Sequence, residues 1–260
     1  MEDLVAFASR PAPTRWIAHP LVLRTETGST NDDVRLEAER GAPAGLVVLA
    51  DAQRSGRGRR GRQWHSPAGE SLYVSVLLRP ALTPSSAPLI TLSAGLAVAE
   101  TLDAFVSPAR VTVKWPNDVR VDGKKIAGVL VEGALRGEHF AWSIAGVGLN
   151  VRGVRLPNEL AATATTIAIA IGHDPGRVPV LARLLACLEA RFDALFRGET
   201  AALVRDLSAR CDTLGTRVAI DTVVGTAEAI DPTGALCIRT DDGGTTLVRA
   251  GEVTAPTAIR

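Results

Sequence analysis

The sequence is short of lysine, of aromatic side chains and of cysteine, and each shortage excludes something. Only three of its 29 basic residues are lysine, Lys114, Lys124 and Lys125, and all three fall in one short block; the other 26 are arginine. Lysine is a compact ammonium on a flexible stem and arginine a broad planar fork, so a site that needs a point charge in a narrow space does not accept the exchange. Aromatic residues make up 4% of the chain and the formal net charge is +1, so neither a stacking platform nor an overall positive field draws it to nucleic acid. Cys187, Cys211 and Cys237 are odd in number, widely spaced and without a CxxC pair, which argues against a disulfide framework or a zinc knuckle and leaves them as buried small residues. His19, His65 and His139 have no metal-ligand spacing. No uninterrupted apolar run approaches membrane-spanning length, and the opening segment MEDLVAFASR has neither an apolar signal core nor a cationic leader. These features predict a cytoplasmic protein with no membrane partner.

What is present is enough apolar sequence, 46% of 260 residues, for one main domain and a small one. GSTNDDVRLEAERG (28–41) offers Ser29 or Thr30 as an N-cap, two aspartates in the first turn and Gly41 as a stop, which predicts a short helix. Strands are predicted at 45–53 and at 71–78, where Leu72, Val74, Val76 and Leu78 alternate on one face. A long buried helix follows from Ser86 and Pro88. Strands at 111–115, 119–121, 126–133 and 139–151 are separated by hairpin turns such as Asp122-Gly123, so the sheet is largely antiparallel. Helices are predicted at 178–197 and about 199–210; beyond Leu214 short Val- and Ile-bearing strands alternate with DPTG and DDGG turns, the pattern of a small β-barrel. The expected division is 1–211 and 212–260.

SGRGRRGRQWHSP (55–67) spaces Gly56, Gly58 and Gly61 like a dinucleotide fingerprint but leads to a strand, not to the helix N-terminus that would meet a pyrophosphate. No HRD or DFG segment and no GK[ST] accompanies it, so kinase and P-loop readings fail. There remains a glycine-permitted loop bearing Arg54, Arg57, Arg59, Arg60 and Arg62, whose forks suit the oxygens of a small polyanion. The lysine block, VKWPNDVRVDGKKIAG, adds Lys114 at a strand end, Asn117 and Asp118 at a bend and Lys125 on the returning strand. Two ammonium groups, an amide and a carboxylate near an arginine loop suit transfer of a nucleotidyl group.

GSTN (28–31), DAQRSGRGRRGRQWHSP (51–67), KWPNDV (114–119), GKKIAGVLVE (123–132) and GVGLNV (146–151), in that order, resemble biotin protein ligase, the biotin-acetyl-CoA-carboxylase ligase family. The resemblance implies an α+β fold: a mixed, largely antiparallel sheet packed with helices, of the class II aminoacyl-tRNA-synthetase-like kind, plus a small C-terminal SH3-like β-barrel. It implies ATP and biotin as substrates with Mg²⁺ held mainly through the ATP phosphates, biotinyl-5′-AMP as intermediate, and a lysine of a biotin carboxyl carrier protein or domain of an acyl-CoA or pyruvate carboxylase as acceptor. Ser29, Thr30, Asn31, Gln53, Arg57, Gly58, Arg59 and Lys125 would hold biotin. Arg59, Arg62, Trp64, Asn117, Lys125 and Asn150 would serve the adenylate. Lys125, Arg57, Asp118 and Lys114 would carry the chemistry, with Lys125 lowering the repulsion between two anions that must meet and Asp118 orienting or deprotonating the acceptor amine. The arginine loop would close as a lid over a mixed anhydride that water destroys.

About two dozen residues precede the GSTN helix, too few for the helix-turn-helix domain some family members carry, so no DNA partner is expected. Monomer and homodimer stay open. A lipoate-protein ligase or octanoyltransferase of related fold is the alternative; the acyltransferase would want a catalytic cysteine, and none of the three sits in a recognisable nucleophile setting. Thr163, Thr165, Thr166 and His173 read as loop and cap residues.

Overall fold

The computed structural model describes residues 1–153 and 156–254. Its main sheet has seven strands: β1 (Leu21–Thr27), β2 (Val47–Gln53), β3 (Ser71–Leu78), β4 (Val111–Lys114), β5 (Asp118–Val121), β6 (Lys124–Arg136) and β7 (His139–Asn150). They lie in the order β1-β2-β3-β7-β6-β5-β4, with β1 and β2 parallel and every other pair antiparallel. A parallel pair needs a crossover, and α2 (Thr30–Glu39) supplies it. The mixed, largely antiparallel sheet that the resemblance implied is therefore observed; β1, the strand that makes its parallel pair with β2, is not among the strands predicted.

Helices cover both faces. On one side α3 (Ala87–Leu102) and α6 (Arg177–Phe196) pack on each other and on the sheet, and α7 (Thr200–Ser208) joins them. Val47, Leu49, Leu72, Val74, Val76, Leu78, Val147 and Leu149 feed this main core. On the other side α2 sits on the opposite pleats, Val34 and Ala38 meeting Val48, Leu77 and Ile144. All eight residues of β3 are consequently buried, where one-sided alternation would have left half of them exposed. Averaged over its length, the segment Pro84–Leu102 is apolar enough to cross a membrane, but it is the central core helix, with Leu89, Ile90, Leu92, Leu96 and Leu102 buried. Short helices α1 (Glu2–Ala8), α4 (Asn158–Ala161) and α5 (Ile167–Ile171) complete the main layer; the Thr166 hydroxyl accepts from the Ile169 amide as the N-cap of α5, the capping role expected of it.

The C-terminal unit is a four-stranded antiparallel meander, β8 (Arg217–Ile220), β9 (Val223–Ile230), β10 (Leu236–Thr240) and β11 (Thr245–Val248), the small β unit expected of an SH3-like domain. It is tied to the main sheet. The Trp115 backbone N–H donates to Thr213 Oγ1 (3.1 Å) and its indole N–H to the Gly234 carbonyl (3.1 Å), and Trp115 is fully buried. Cys187 and Cys211 are buried small residues as expected; Cys237, on β10, is only half-buried.

Candidate functional site

The site follows from two rows of side chains across β3, β7 and β6. Tyr73 pairs with Gly148 and Gly148 with Gly128; two residues along, Ser75 pairs with Gly146 and Gly146 with Leu130. Residues two apart share a face, so glycine occupies the middle of both rows and leaves a trough. Other side chains fill the missing Cβ positions: a Cβ on Gly146 would come 2.2 Å from Asn31 Oδ1, and one on Gly148 2.4 Å from Trp64 Cε2. The result is a cleft of about 1070 Å³, open mouth included, floored by the sheet.

At one end a polar chain lines the floor. The Thr30 amide donates to Gln53 Oε1 (2.9 Å), Gln53 Nε2 donates to Ser66 Oγ (2.9 Å), and Ser66 Oγ donates to the Trp64 carbonyl (3.0 Å). Ser75 Oγ lies 2.7 Å from Thr30 Oγ1 and 2.6 Å from Asn31 Oδ1. Gly56 is required where the loop leaves β2, because a Cβ there would meet Ser66 Oγ at 2.6 Å and the Trp64 carbonyl at 2.7 Å.

The arginine loop lies over the cleft. Gly58 N–H donates to the Arg62 carbonyl (2.7 Å) and Trp64 N–H to the Gly56 carbonyl (2.8 Å), making a small hairpin with Arg60 in a left-handed conformation. Its guanidiniums are held by partners on other elements. Arg57 reaches Glu132 (2.7 Å) and Asp32 (3.1 Å), Arg59 Nη1 donates to Asn117 Oδ1 (3.0 Å), Arg60 pairs with Asp221 (2.8 Å) and Arg62 with Glu252. Burial lowers the Arg59 pKa below the ordinary arginine value, and the Glu252 carboxyl is held below its ordinary range by the hydrogen bond from Arg62. The Trp64 indole N–H has no acceptor among the described residues.

Opposite the loop stands the β4–β5–β6 hairpin. Lys125 Nζ lies 2.7 Å from Asp118 Oδ1, an ion pair out of hydrogen-bond alignment, and 5.3 Å from the centroid of the Trp64 ring. The Lys125 backbone is clamped by segment 163–165: its N–H donates to the Thr163 carbonyl (2.8 Å) and its carbonyl accepts from Thr165 N–H (2.9 Å). Those threonines thus place a cation with their backbones. Burial, aided by neighbouring Arg120, lowers the Lys114 pKa. A half-buried ammonium, a carboxylate and four guanidiniums around one cleft can take up the charge of a phosphate and a carboxylate brought together.

Every residue that the resemblance gave a biotin, adenylate or catalytic role lines this cleft except Asn150, which sits at the end of β7 with its amide donating to the Thr165 carbonyl (3.0 Å); of the five loop arginines Arg54 stays outside, paired with Glu26 (2.9 Å). Several lining residues were not anticipated: Tyr73, Gly128, Leu130, Gly146 and Gly148, and, from the C-terminal segment, Gly251, Glu252 and Val253. The glycines had a signal, since Gly146 and Gly148 in GVGLNV fall on one face of a strand. Gly251–Val253 had none, because only the fold brings the C-terminal segment to the arginine loop.

Residues 24–150 match the model of the Biotin/lipoate A/B protein ligase family, and residues 213–254 that of the Biotin protein ligase C terminal domain. The biotin–[acetyl-CoA-carboxylase] ligase of Mycobacterium tuberculosis is 39% identical over 238 residues, 88% of this chain and 86% of that protein. Among solved structures, biotin protein ligase from Aquifex aeolicus in complex with biotin and ATP superposes with a TM-score of 0.77 at 29% identity, covering 90% of this chain and 97% of that one. Biotin protein ligase from Leishmania major in complex with biotinyl-5-AMP gives a TM-score of 0.60 at 27% identity, covering 88% and 98%.

Proposed function

The chain belongs to the biotin protein ligase family, and we infer from this and from the cleft that it joins biotin to a carboxylase carrier protein at the expense of ATP. The protein is a ligase that activates biotin and transfers it. The observation that carries the reading is the convergence of Arg57, Arg59, Lys125 and Trp64 on a trough whose floor is polar at one end and glycine-lined beneath the indole. In the first step a carboxylate oxygen of biotin attacks the α-phosphorus of ATP, the bond to the β-phosphate oxygen breaks, and pyrophosphate leaves. In the second an acceptor lysine nitrogen attacks the acyl carbon of biotinyl-5′-AMP, the carbon–oxygen bond to AMP breaks, and the amine's proton passes to a base.

We assign the polar end, Ser29, Thr30, Asn31 and Gln53, to the ring of biotin, and Arg57, Gly58, Arg59 and Lys125 to its carboxylate. Trp64, Arg62 and Asn117 would meet the nucleotide. Asn150 would serve the adenylate from behind the cleft wall, its amide holding the Thr165 carbonyl in the segment that clamps Lys125. Lys125 and Lys114 stabilise phosphate charge as it builds. Asp118, 2.7 Å from Lys125 Nζ, is the base we assign to the incoming amine, which it also orients. Among the described residues no group of three His, Cys, Asp or Glu stands ready for a metal; Mg²⁺ would arrive with ATP, its phosphates as ligands and the flanking cations sharing the charge. The domain division at 211/212, the carrier domain as acceptor and a cytoplasmic site of action belong to this proposal. The lipoate alternative is not favoured, because the relatives are named as biotin ligases.

The test is biotin-dependent pyrophosphate release from MgATP, with lipoate and octanoate in parallel, followed by addition of a carrier domain and measurement of its mass. Release specific to biotin and a biotinylated carrier are expected. Turnover with lipoate or octanoate alone would leave the fold standing and overturn the substrate.

A further inference from the structure

The donor and acceptor pattern of the biotin-ring end is fixed by a charge that does not line it. We propose that Glu132 on β6 is a positioning residue: its carboxylate sets the direction of the Asn31 amide and, through it, the hydrogen-bond polarity that the cleft offers to the ring. The proposal rests on the biotin-activating reading above.

Asn31 is almost fully buried, at 4% exposure, and its amide has two ends of opposite polarity. Nδ2 lies 2.7 Å from Glu132 Oε2 and 3.4 Å from the Leu130 carbonyl, both acceptors. An ionised carboxylate only accepts, so the NH₂ end must face it and Oδ1 must face the other way. There Oδ1 meets Ser75 Oγ at 2.6 Å, which obliges the single Ser75 proton to point to Asn31. Ser75 then has no proton left for Thr30 Oγ1, 2.7 Å away, and the Thr30 hydroxyl becomes the donor, to Ser75 or to Gln53 Oε1 at 3.2 Å. Each step is forced by the one before it. Gly146 makes the arrangement tight, since even a methyl group there would overlap Asn31 Oδ1. The same Glu132 Oε2 takes Arg57 Nη2 at 2.7 Å, so one carboxylate orients both the floor and this arginine of the loop, which Asp32 also holds at 3.1 Å.

The experiment is steady-state pyrophosphate release by wild type, Glu132→Ala, Glu132→Gln, Asn31→Ala and the Asn31→Ala/Glu132→Ala pair, titrating biotin at saturating ATP and ATP at saturating biotin, with biotin binding followed by calorimetry. Loss of a charge-assisted hydrogen bond at a specificity site is expected to raise the biotin KM and Kd of Glu132→Ala by about tenfold or more, with kcat and the ATP KM within about twofold of wild type. Glu132→Gln keeps an acceptor and recovers most of the loss. Arg57 keeps Asp32 at 3.1 Å when Glu132 is removed, so the double variant is no worse than Asn31→Ala, the carboxylate acting on the ring end through that amide. Unchanged biotin affinity in Glu132→Ala, an equal loss for biotin and ATP, or losses that multiply in the double variant overturn the proposal. Should Glu132→Ala fail to fold, Ser75→Ala probes the same chain from its other end, and the same biotin-selective loss is expected. Wild-type protein silent with biotin would instead overturn the functional reading, separately from this one.

Discussion

Lys125 Nζ lies 2.7 Å from Asp118 Oδ1 across the β5–β6 hairpin. The carboxylate holds the ammonium over the cleft beside Trp64, where the phosphate and the biotin carboxylate would meet. Removing a preorganised charge of this kind costs about 10²–10³ in rate. Lys125→Ala should lower biotin-dependent pyrophosphate release by that order, and Lys125→Arg should not restore it, because the fork does not fit where a point charge stands. Release within a few-fold of wild type in Lys125→Ala would remove Lys125 from the adenylation step.

Asp118 tests the other half of the reaction. Supplied with purified biotinyl-5′-AMP and a carrier domain, Asp118→Asn should transfer the biotinyl group about 10²-fold more slowly than wild type, the lower end of general-base contributions. Unchanged transfer would withdraw Asp118 as base and leave it as the residue that holds Lys125.

Gly148 is the most direct test of the trough. Its φ lies outside the left-handed region, so alanine meets no backbone penalty; the added methyl meets Trp64, at 2.4 Å from Cε2 and 2.6 Å from Nε1. Gly148→Ala should therefore displace the indole, raise the ATP KM by about tenfold, and change the melting temperature little. An unaltered ATP KM would show that the indole does not pack on the nucleotide.

Stability is concentrated elsewhere, in Arg177. This guanidinium is fully buried at the start of α6, donating to Asp51 on β2 (2.6 Å) and to Asp3 on α1 (2.6 and 3.0 Å). Arg177→Met leaves buried Asp51 with only the N-terminal ammonium, 3.6 Å away, a change worth up to about 3–5 kcal/mol in such pairs, read as a lower urea midpoint at unchanged slope. The hydrogen bond from Arg177 holds the Asp3 carboxyl well below the usual carboxylate range. A carboxyl depressed in the folded state contributes stability above the unfolded value of about 3.9; that contribution is lost as pH falls through the depressed folded value. The wild type should resist acid to lower pH than Arg177→Met.

The sequence revealed what depends on short-range order. The lysine block, the GSTN helix and the arginine loop were legible because each is a contiguous stretch whose chemistry and turn signals sit together. Strand β1 was not: LVLRTET has weak alternation, and its parallel pairing with β2 across α2 is a long-range fact. Glu132 escaped notice because its distinction is to stand opposite Asn31 and Arg57, residues 101 and 75 positions away in the chain. Glu252 and Asp221 escaped for the same reason, although both hold the loop that the sequence marked out.

Those two residues make the loop's closure a property of both sheets. Arg60 pairs with Asp221 in the β8–β9 turn and Arg62 with Glu252, so the segment covering the cleft is latched to the C-terminal unit. Exposed pairs contribute about 0–1 kcal/mol each and are screened by salt, which sets the scale of the prediction. Glu252→Gln should raise acceptor-independent release of AMP and biotin from the bound adenylate by a few-fold, and Asp221→Asn/Glu252→Gln by up to about tenfold, because a less firmly closed loop admits water. High salt should bring the wild type toward the double variant. The Glu252 carboxyl is depressed by Arg62, so the latch is fully present above the unfolded value of about 4.3 and weakens as pH falls through the lower folded one. A leak rate indifferent to both substitutions and to salt would mean that the loop is held shut by its contacts with the adenylate and by Arg57 and Arg59, not by the C-terminal unit.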